Sequence, residues 1–197
     1  MAQLFFEYGT MNSGKTLEIL KVAYNYEAQG REVLILSPMV DDRDGVSIIH
    51  SRNGQERKAQ VISESENLFD VVKNKKIQPA VVLVDEAQFI APEQVDQLAQ
   101  VVDELDIPVM TFGLRQDAFN QLFPGSKRLF EIADKLEETK TICTFCGKKA
   151  VMNMRVVNGV PQRTGDQVMI GGDDLYIPTC RIHWHNPVQE KIDEMFK

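Results

Sequence analysis

In the first part of the chain, the spacing of apolar residues alternates between that of strands and that of helices. Residues 3–8 form a short, aromatic-rich run that ends at Gly9, and residues 16–29 have apolar positions at helical intervals. Residues 32–37 are almost continuously apolar, which is typical of a parallel strand covered on both faces. The pattern therefore predicts a βαβ unit at the amino end.

The alternation of strand and helix patterns continues to about residue 135. Residues 41–57 interrupt it with a polar stretch that predicts a functional loop or an irregular hairpin. Further strands are predicted at 59–62, 80–84 and 107–112, and further helices at 66–73, 92–104 and 126–135. Strands that alternate with helices predict an α/β fold, in which helices flank a mostly parallel sheet.

The character of the chain changes between residues 136 and 141. Beyond this point, short strand-like segments alternate with glycines, and the same region contains all three cysteines. We therefore expect two domains, residues 1–138 and residues 139–197.

Composition and charge narrow the range of partners. The chain has 197 residues, 43% of them hydrophobic, which is enough for one complete α/β domain and a small appendage. A net charge of −7 argues against a nucleic-acid polymer as the main partner. The sequence has neither a long apolar run nor a signal-peptide pattern, and its three cysteines suit a reducing compartment. We therefore expect a cytoplasmic protein that does not bind membranes.

A phosphate-binding motif, G-x-x-x-x-G-K-[ST], lies between the first predicted strand and the first predicted helix. Backbone N–H groups at the helix start can surround phosphate oxygens, Lys15 can reach the β and γ phosphates, and the Thr16 hydroxyl can bind Mg²⁺. The alternative is a chance lysine in a glycine-containing turn, but motif and context coincide, which predicts a nucleoside triphosphate site. The motif consists of Gly9, Thr10, Met11, Asn12, Ser13, Gly14, Lys15 and Thr16.

Two carboxylates, Asp85 and Glu86, directly follow the most apolar predicted strand. In an open parallel sheet, this edge faces the same crevice as the phosphate-binding loop. Asp85 can hold Mg²⁺, directly or through water, and Glu86 can polarise a hydrolytic water or accept a proton from a substrate hydroxyl. A purely structural acidic pair at a helix start is the alternative. These residues alone do not distinguish an ATPase from a kinase.

The cysteines and two of the histidines have the spacing of metal ligands. Two residues separate Cys143 from Cys146, and two residues separate Cys180 from His183. This spacing lets each pair present two ligands to one tetrahedral ion, and three thiolates with one imidazole suit a closed, structural Zn²⁺ site. His185 competes for the fourth position, and the tighter spacing favours His183.

Three features follow one another along nearly the whole chain: GTMNSGKT, then DEAQF after a strand, then CTFC with VMIGGDDLY and CRIH. In this combination the chain resembles the type II thymidine kinase family, which joins a P-loop NTPase domain to a small zinc-bearing lasso domain. The resemblance implies that ATP, Mg²⁺ and a structural Zn²⁺ are bound, with thymidine as the substrate and deoxyuridine as a second candidate.

The resemblance also implies catalytic roles. Glu86 is expected to be the general base that accepts the proton of the nucleoside 5′-hydroxyl as this oxygen attacks the γ phosphorus. Lys15 is expected to act on the phosphates and Arg43 to stabilise the transferring charge, although composition alone favours a solvated loop around Arg43. Outside the phosphate-binding loop, the expected cofactor residues are Asp41, Arg43, Asp85, Glu86, Ala87 and Gln88.

The same resemblance implies a nucleoside pocket. It places the thymine ring in an apolar slot and the edge of the base against backbone groups of the lasso. Taken without the resemblance, the segment VMI is typical of a core strand and Tyr176 of a packed aromatic residue. The expected nucleoside-binding residues are Met11, Phe89, Gln167, Val168, Met169, Ile170, Gly171 and Tyr176.

One position departs from the family pattern. A phenylalanine commonly follows the residue that matches Asp117, whereas this chain has Ala118 and then Phe119. Either Phe119 replaces that ring or the pocket is open on this side, so both residues are candidate nucleoside contacts. A methyl-sized difference in a hydrophobic pocket changes binding by only about 1 to 3 kcal/mol, so a strict preference for thymidine does not follow.

Two further properties are implied only by the resemblance: a homotetramer and feedback inhibition by dTTP. The alternative function is a P-loop ATPase or switch module whose zinc lobe binds a protein partner. The kinase hypothesis requires phosphate transfer to a nucleoside, whereas the alternative requires only ATP hydrolysis.

Overall fold

The computed structural model describes residues 1–38, 46–50, 56–165, 167 and 175–196. A seven-stranded sheet forms its larger part. The strands of this sheet are β1 (Leu4–Gly9), β2 (Val33–Pro38), β3 (Val46–His50), β4 (Glu56–Ile62), β5 (Val81–Val84), β6 (Val109–Leu114) and β7 (Lys135–Thr139). Their order across the sheet is β3-β4-β2-β5-β6-β1-β7, and every neighbouring pair is parallel except β3 and β4. The predicted α/β fold is confirmed.

Helices cover both faces of this sheet. They are α1 (Lys15–Glu27), α2 (Leu68–Lys73), α3 (Pro92–Leu105) and α4 (Pro124–Ile132), and a 3₁₀ turn (Ala87–Phe89) follows β5. One buried cluster joins the sheet to α2, α3 and α4 and includes Leu4, Phe6, Val82, Leu98 and Leu129. The other lies under α1 and includes Ile19, Ala23, Ile35, Leu83 and Phe112. Burial on both faces explains why the central strands are almost continuously apolar.

A smaller antiparallel sheet follows the first. It consists of β8 (Met152–Val157), β9 (Val160–Pro161) and β10 (Leu175–Thr179), in the order β10-β8-β9. Two short helices, α5 (Arg181–His185) and α6 (Gln189–Met195), complete the described chain. This lobe has its own apolar cluster, which consists of Cys143, Phe145, Met154, Val156, Ile177, Cys180 and Ile192. Among the described helices, none is long and apolar enough to cross a membrane.

One predicted element was wrong. The helix predicted at 126–135 begins earlier, with Pro124 in its first turn, and ends at Ile132. Lys135–Thr139 is instead an edge strand that pairs with β1, and Asp134 fixes its start by accepting the N–H of Leu4 at 2.7 Å. The sequence KLEET has no alternating apolar face, because an edge strand that is largely exposed does not need one.

The polar stretch at 41–57 contains the first arm of a hairpin, β3, and the first two residues of the second arm, β4. Within the described residues, β3 pairs antiparallel with β4, which agrees with the hairpin interpretation. The domain limits at residue 138 stay a prediction; Thr139 is the last residue of β7 in the larger sheet.

Glu7 is a buried carboxylate in the centre of β1, where its side chain is only 8% exposed. Burial, followed by the negative charges of Glu18 and Glu137, raises its pKa to a net value of about 7, while the positive charge of Lys21 opposes the shift. The folded state therefore holds a proton on Glu7 that the unfolded chain, with an ordinary pKa of 4.5, releases. Stability contributed by this protonated form is lost as the pH rises from about 4.5 through 7.

We therefore expect Glu7→Gln to raise the free energy of unfolding at pH 8 by more than it does at pH 6. A neutral amide does not incur the cost of a buried charge, so the gain at pH 8 should be on the order of 2 kcal/mol or a few degrees in Tm. Thermal unfolding of the variant and the parent at both pH values measures the difference. Glu190→Gln, on an exposed turn of α6, is the matched control. Equal effects of Glu7→Gln at the two pH values would contradict the prediction.

Candidate active site and metal centre

The phosphate-binding loop connects β1 to α1 as its motif predicts. Gly9 lies where a Cβ would come within 2.6 Å of the Thr139 carbonyl oxygen, so the carboxyl end of β7 leaves room only for glycine. Gly14 immediately precedes α1 with φ of +90°, a left-handed conformation that glycine adopts without strain. These two glycines let the backbone turn sharply from β1 into α1, as a loop that binds phosphate through its N–H groups requires.

Lys15 has its side chain folded into this loop. Its ammonium group donates to the Thr10 carbonyl oxygen at 2.9 Å and contacts Ser13 Oγ at 3.4 Å. Burial lowers the pKa of Lys15, while the negative charges of Glu86 and Asp85 oppose the shift. Among the described residues, the buried Thr10 Oγ1 has no hydrogen-bond partner. The loop thus holds a cation and a free hydroxyl, both of which suit a bound phosphate.

Asp85 and Glu86 lie at the carboxyl end of β5, close enough to Lys15 for their charges to act on it. Asp85 is 5% exposed, and burial together with the charge of Glu86 raises its pKa well above the usual range. Glu86 has a left-handed backbone with φ of 48°, and its N–H donates to Asp85 Oδ1 at 2.9 Å. A divalent cation bound at Asp85 would offset the cost of the buried negative charge.

Gln88 fixes the orientation of the Glu86 side chain. Its Nε2 group donates to Glu86 Oε2, and its Oε1 atom accepts the N–H of Leu114 at 2.9 Å. Gln88 is 1% exposed, and Gly113 permits its close approach, because a Cβ there would lie 2.8 Å from Gln88 Oε1. The role of Gln88 in the cofactor site stays a prediction; its side chain forms hydrogen bonds with Glu86 and with strand β6.

Thr16 and Asp85 have the chemistry to hold Mg²⁺. Thr16 lies in the first turn of α1, directly after Lys15, and offers a hydroxyl oxygen. Asp85 offers a buried carboxylate oxygen, and Mg²⁺ prefers oxygen ligands together with phosphate oxygens and water. The buried, destabilised charge of Asp85 is the observation that fits such an ion. Ala87 is buried in the 3₁₀ turn that follows these carboxylates.

The four predicted zinc ligands meet in the smaller lobe. The ligand atoms of Cys143, Cys146, Cys180 and His183 all lie within 4.8 Å of one another. His183 Nδ1 is 3.4 Å from the Sγ atoms of Cys143 and Cys180, and the Sγ atoms of Cys146 and Cys180 are 4.0 Å apart. Tetrahedral zinc, with Zn–S of about 2.3 Å and Zn–N of about 2.0 Å, places ligand atoms about 3.5 to 3.8 Å apart. The cluster therefore fits a zinc ion.

His183 and His185 have different surroundings. The ring of His183 packs beside Phe145 with centroids 5.4 Å apart, whereas exposed His185 packs edge-on to Trp184 at 5.0 Å and lies outside the cluster. Burial raises the pKa of Cys143, but N–H groups of Cys180 and Phe145, and then the ring of His183, lower it to a net value of about 6. The surroundings of Cys143 thus favour the thiolate form that binds metal.

The two phenylalanines predicted to contact the nucleoside, Phe89 and Phe119, have different packing partners. The ring of Phe89 packs edge-on against Phe123, with centroids 5.5 Å apart. Ala118 is buried, whereas Phe119 covers Gly165: a Cβ at Gly165 would contact Phe119 Cζ at 3.4 Å. In this structure, the ring of Phe119 therefore packs on the segment that precedes the residues of the predicted lasso.

Met11 and Tyr176 are connected through β8. The N–H of Met11 donates to Asn153 Oδ1 at 2.8 Å, and Asn153, on β8, is 2% exposed. Tyr176 pairs with Arg155 two residues further along the same strand. Asn153 was not predicted as a site residue, because nothing in the sequence distinguishes one asparagine in a strand until the fold brings it to the phosphate-binding loop.

Six of the predicted site residues lie outside the described part of the chain. They are Asp41, Arg43, Val168, Met169, Ile170 and Gly171. Gln167 is described and exposed, and its Nε2 group lies 3.5 Å from the Leu122 carbonyl oxygen.

Comparison with known proteins agrees with this geometry. The family model described as thymidine kinase matches residues 2–184. A thymidine kinase of Streptococcus thermophilus is 54% identical over 192 residues, covering 98% of each chain. Thymidine kinases of Streptococcus pyogenes and Streptococcus agalactiae are 53% and 52% identical over 187 residues, covering 95% of this chain and 99% of theirs. On this basis the chain belongs to the thymidine kinase family.

Proposed function

We propose that this protein is an ATP-dependent thymidine kinase, which transfers the γ phosphate of ATP to the 5′-hydroxyl of thymidine and gives dTMP for nucleotide salvage. The observation that carries the proposal is the meeting of Lys15, Asp85 and Glu86, with Glu86 held in place by Gln88. Deoxyuridine is proposed as a weaker substrate, since a hydrophobic pocket discriminates a single methyl group only modestly.

Glu86 is the proposed general base. Its carboxylate accepts the proton of the 5′-hydroxyl while this oxygen attacks the γ phosphorus in line with the leaving ADP. The hydrogen bond from Gln88 supports this role because it fixes one carboxylate oxygen and leaves the other free for the hydroxyl. Lys15 neutralises charge on the phosphates, and Arg43 and Asp41 are proposed to line the transfer site.

The remaining residues of the phosphate-binding loop are proposed to hold the ATP phosphates through their backbone N–H groups. Thr16 and Asp85 are proposed to hold Mg²⁺, which supplies charge neutralisation at the phosphates when bound. Ala87 and Gln88 shape the adjoining wall of the site.

We also propose the nucleoside pocket and its clamp. Phe89, Phe119 and Met11 provide apolar surface for the base, with Ala118 and Tyr176 beside them. The lasso, with Gln167, Val168, Met169, Ile170 and Gly171, is proposed to read the edge of the base through backbone groups. It belongs to a proposed second domain, residues 139–197, in which zinc at Cys143, Cys146, Cys180 and His183 is structural.

A homotetramer, feedback inhibition by dTTP and a cytoplasmic location complete the proposal. Exposed apolar residues on α1 support a subunit contact: Leu17 is 46% and Tyr24 is 62% exposed, and seven residues apart they share one helix face. The free thiols of the metal cluster suit a reducing compartment.

The role of Glu86 is tested by Glu86→Gln. We expect kcat for thymidine phosphorylation to fall by about 10² to 10⁴, because an amide cannot accept the proton, while the Kd of a non-hydrolysable ATP analogue changes little. Transfer of labelled γ phosphate to thymidine or to water measures the reaction. Glu93→Gln, an exposed glutamate on α3, is the control. Turnover of Glu86→Gln close to that of the parent would exclude Glu86 as the general base. If the parent protein itself released the label only as free phosphate, the kinase activity would be excluded.

The choice of zinc ligand is tested with the two neighbouring histidines. His183→Ala should bind zinc at least about 100-fold more weakly, because removing a ligand opens the tetrahedral set, whereas His185→Ala should retain one zinc per chain. Competition with a colorimetric chelator measures both affinities. Zinc loss in His185→Ala, with retention in His183→Ala, would reverse the assignment.

The subunit contact is tested by Tyr24→Glu combined with Leu17→Glu. Two charges on the exposed face of α1 should reduce the assembly mass, because charges are unfavourable in the core of an interface. Light scattering after size exclusion gives the mass. Ile77→Glu, which is equally exposed at 66% but lies away from α1, should leave the mass unchanged. An unchanged mass in the double variant would show that α1 is not part of a contact.

A further inference from the structure

We propose that Trp184 is a positioning residue that transmits the order of the zinc-ligand helix to the nucleoside pocket, through one contact to the pocket wall and one to the root of the lasso. The proposal rests on the nucleoside pocket described above. Trp184 lies beside His183 on α5, and it is the only tryptophan of the chain. The five residues Ala118, Phe119, Arg163, Gly165 and Trp184 are called the junction below.

The first contact is a hydrogen bond. Trp184 Nε1 donates to the Ala118 carbonyl oxygen at 3.1 Å, across 66 positions of sequence. Ala118 is only 4% exposed, so water cannot easily replace this donor. Leaving the buried Ala118 carbonyl without a hydrogen-bond donor costs free energy. The loop that contains Ala118 would therefore shift until this carbonyl finds another donor.

The loop that receives this hydrogen bond is held together from within. Asp117 Oδ1 accepts the N–H groups of Phe119 and Gln121, both at 2.8 Å, and the N–H of Asp117 donates to the Gln121 carbonyl oxygen at 2.9 Å. Because these bonds close the loop on itself, a pull on the Ala118 carbonyl moves the loop as one body. The proposed pocket residue Phe119 moves with it.

The second contact reaches the root of the lasso. The guanidinium carbon of Arg163 lies 4.3 Å from the centroid of the Trp184 ring, within the range of a cation–π interaction. Two residues later, Gly165 lies under the ring of Phe119. The ring face of Trp184 therefore positions Arg163, at the start of the proposed lasso. Its Nε1–H group positions the loop that contains Ala118 and Phe119.

The position of Trp184 depends on the metal cluster. The backbone N–H of Trp184 donates to the Cys180 carbonyl oxygen at 2.9 Å, and helix α5 spans only five residues, three of which are Ile182, His183 and Trp184. A helix this short is unstable by itself, so the ligands Cys180 and His183 must be held for the ring to stay in place. Loss of zinc should therefore release the junction as well.

Trp184→Phe separates the hydrogen bond from the ring, because phenylalanine keeps an aromatic face but has no N–H. We expect KM for thymidine to rise about three- to tenfold, with kcat and the KM for ATP within about twofold of the parent and with zinc still bound. Ile182→Ala, the exposed neighbour of His183 on the other side, should leave all four values unchanged. Arg163→Gln tests the second contact in the same way and keeps Trp184 itself intact.

Tryptophan fluorescence gives a readout besides activity. Because Trp184 is the only tryptophan, emission reports this junction alone. We expect thymidine without ATP to change the emission of the parent, and a chelator to shift it to longer wavelength as the ring becomes solvated. The thymidine concentration at half-change should rise about three- to tenfold in Arg163→Gln.

The outcomes distinguish this inference from the proposed function. A parent enzyme that phosphorylates thymidine while its emission does not respond to thymidine would overturn the role of Trp184 and leave the kinase intact. An unchanged KM for thymidine in both zinc-loaded Trp184→Phe and Arg163→Gln would also overturn it. Should Trp184→Phe not retain zinc, Arg163→Gln decides alone. A parent that transfers no phosphate to any nucleoside contradicts the proposed function instead.

Discussion

The burial of one ammonium group near two carboxylates is the constraint on which the rest of the active site depends. Lys15 and Asp85 would each be costly to bury alone, and together their opposite charges partly compensate. The parallel sheet makes this arrangement possible. Strands β1, β6 and β5 lie side by side, so the loop after β1 and the carboxylates after β5 meet at the same edge.

Gln88 and Gly113 extend this constraint into the sheet. The side-chain amide of Gln88 spans from Glu86 to the backbone of β6, and a side chain at position 113 would block it. The orientation of the proposed base is thus determined by a rigid strand and not by its own loop. Such support matters because small displacements of a catalytic group reduce rates strongly.

The sequence predicted those parts of the molecule whose residues are contiguous or regularly spaced. The phosphate-binding loop, the acidic pair after β5 and the four-ligand cluster are all short local patterns. Strand β7 could not be predicted, because its stability comes from pairing with β1 and not from an apolar pattern of its own. Asn153 and Trp184 were also missed, since their partners Met11 and Ala118 lie 142 and 66 positions away. Contacts between residues that are distant in the sequence can be identified only once the fold is known.

Hydrogen bonds join the two lobes. Each lobe packs around its own apolar clusters, whereas polar contacts cross between them: Asn153 to Met11, Arg115 to the Val151 carbonyl oxygen, and Trp184 to Ala118. A hydrogen bond contributes about 0.5 to 1.5 kcal/mol net, far less than an apolar core. Each of these hydrogen bonds between the lobes therefore contributes less to stability than the apolar core of either lobe. Since Met11 belongs to the phosphate-binding loop and Ala118 to the proposed nucleoside wall, these hydrogen bonds connect the smaller lobe to the sites proposed for both substrates.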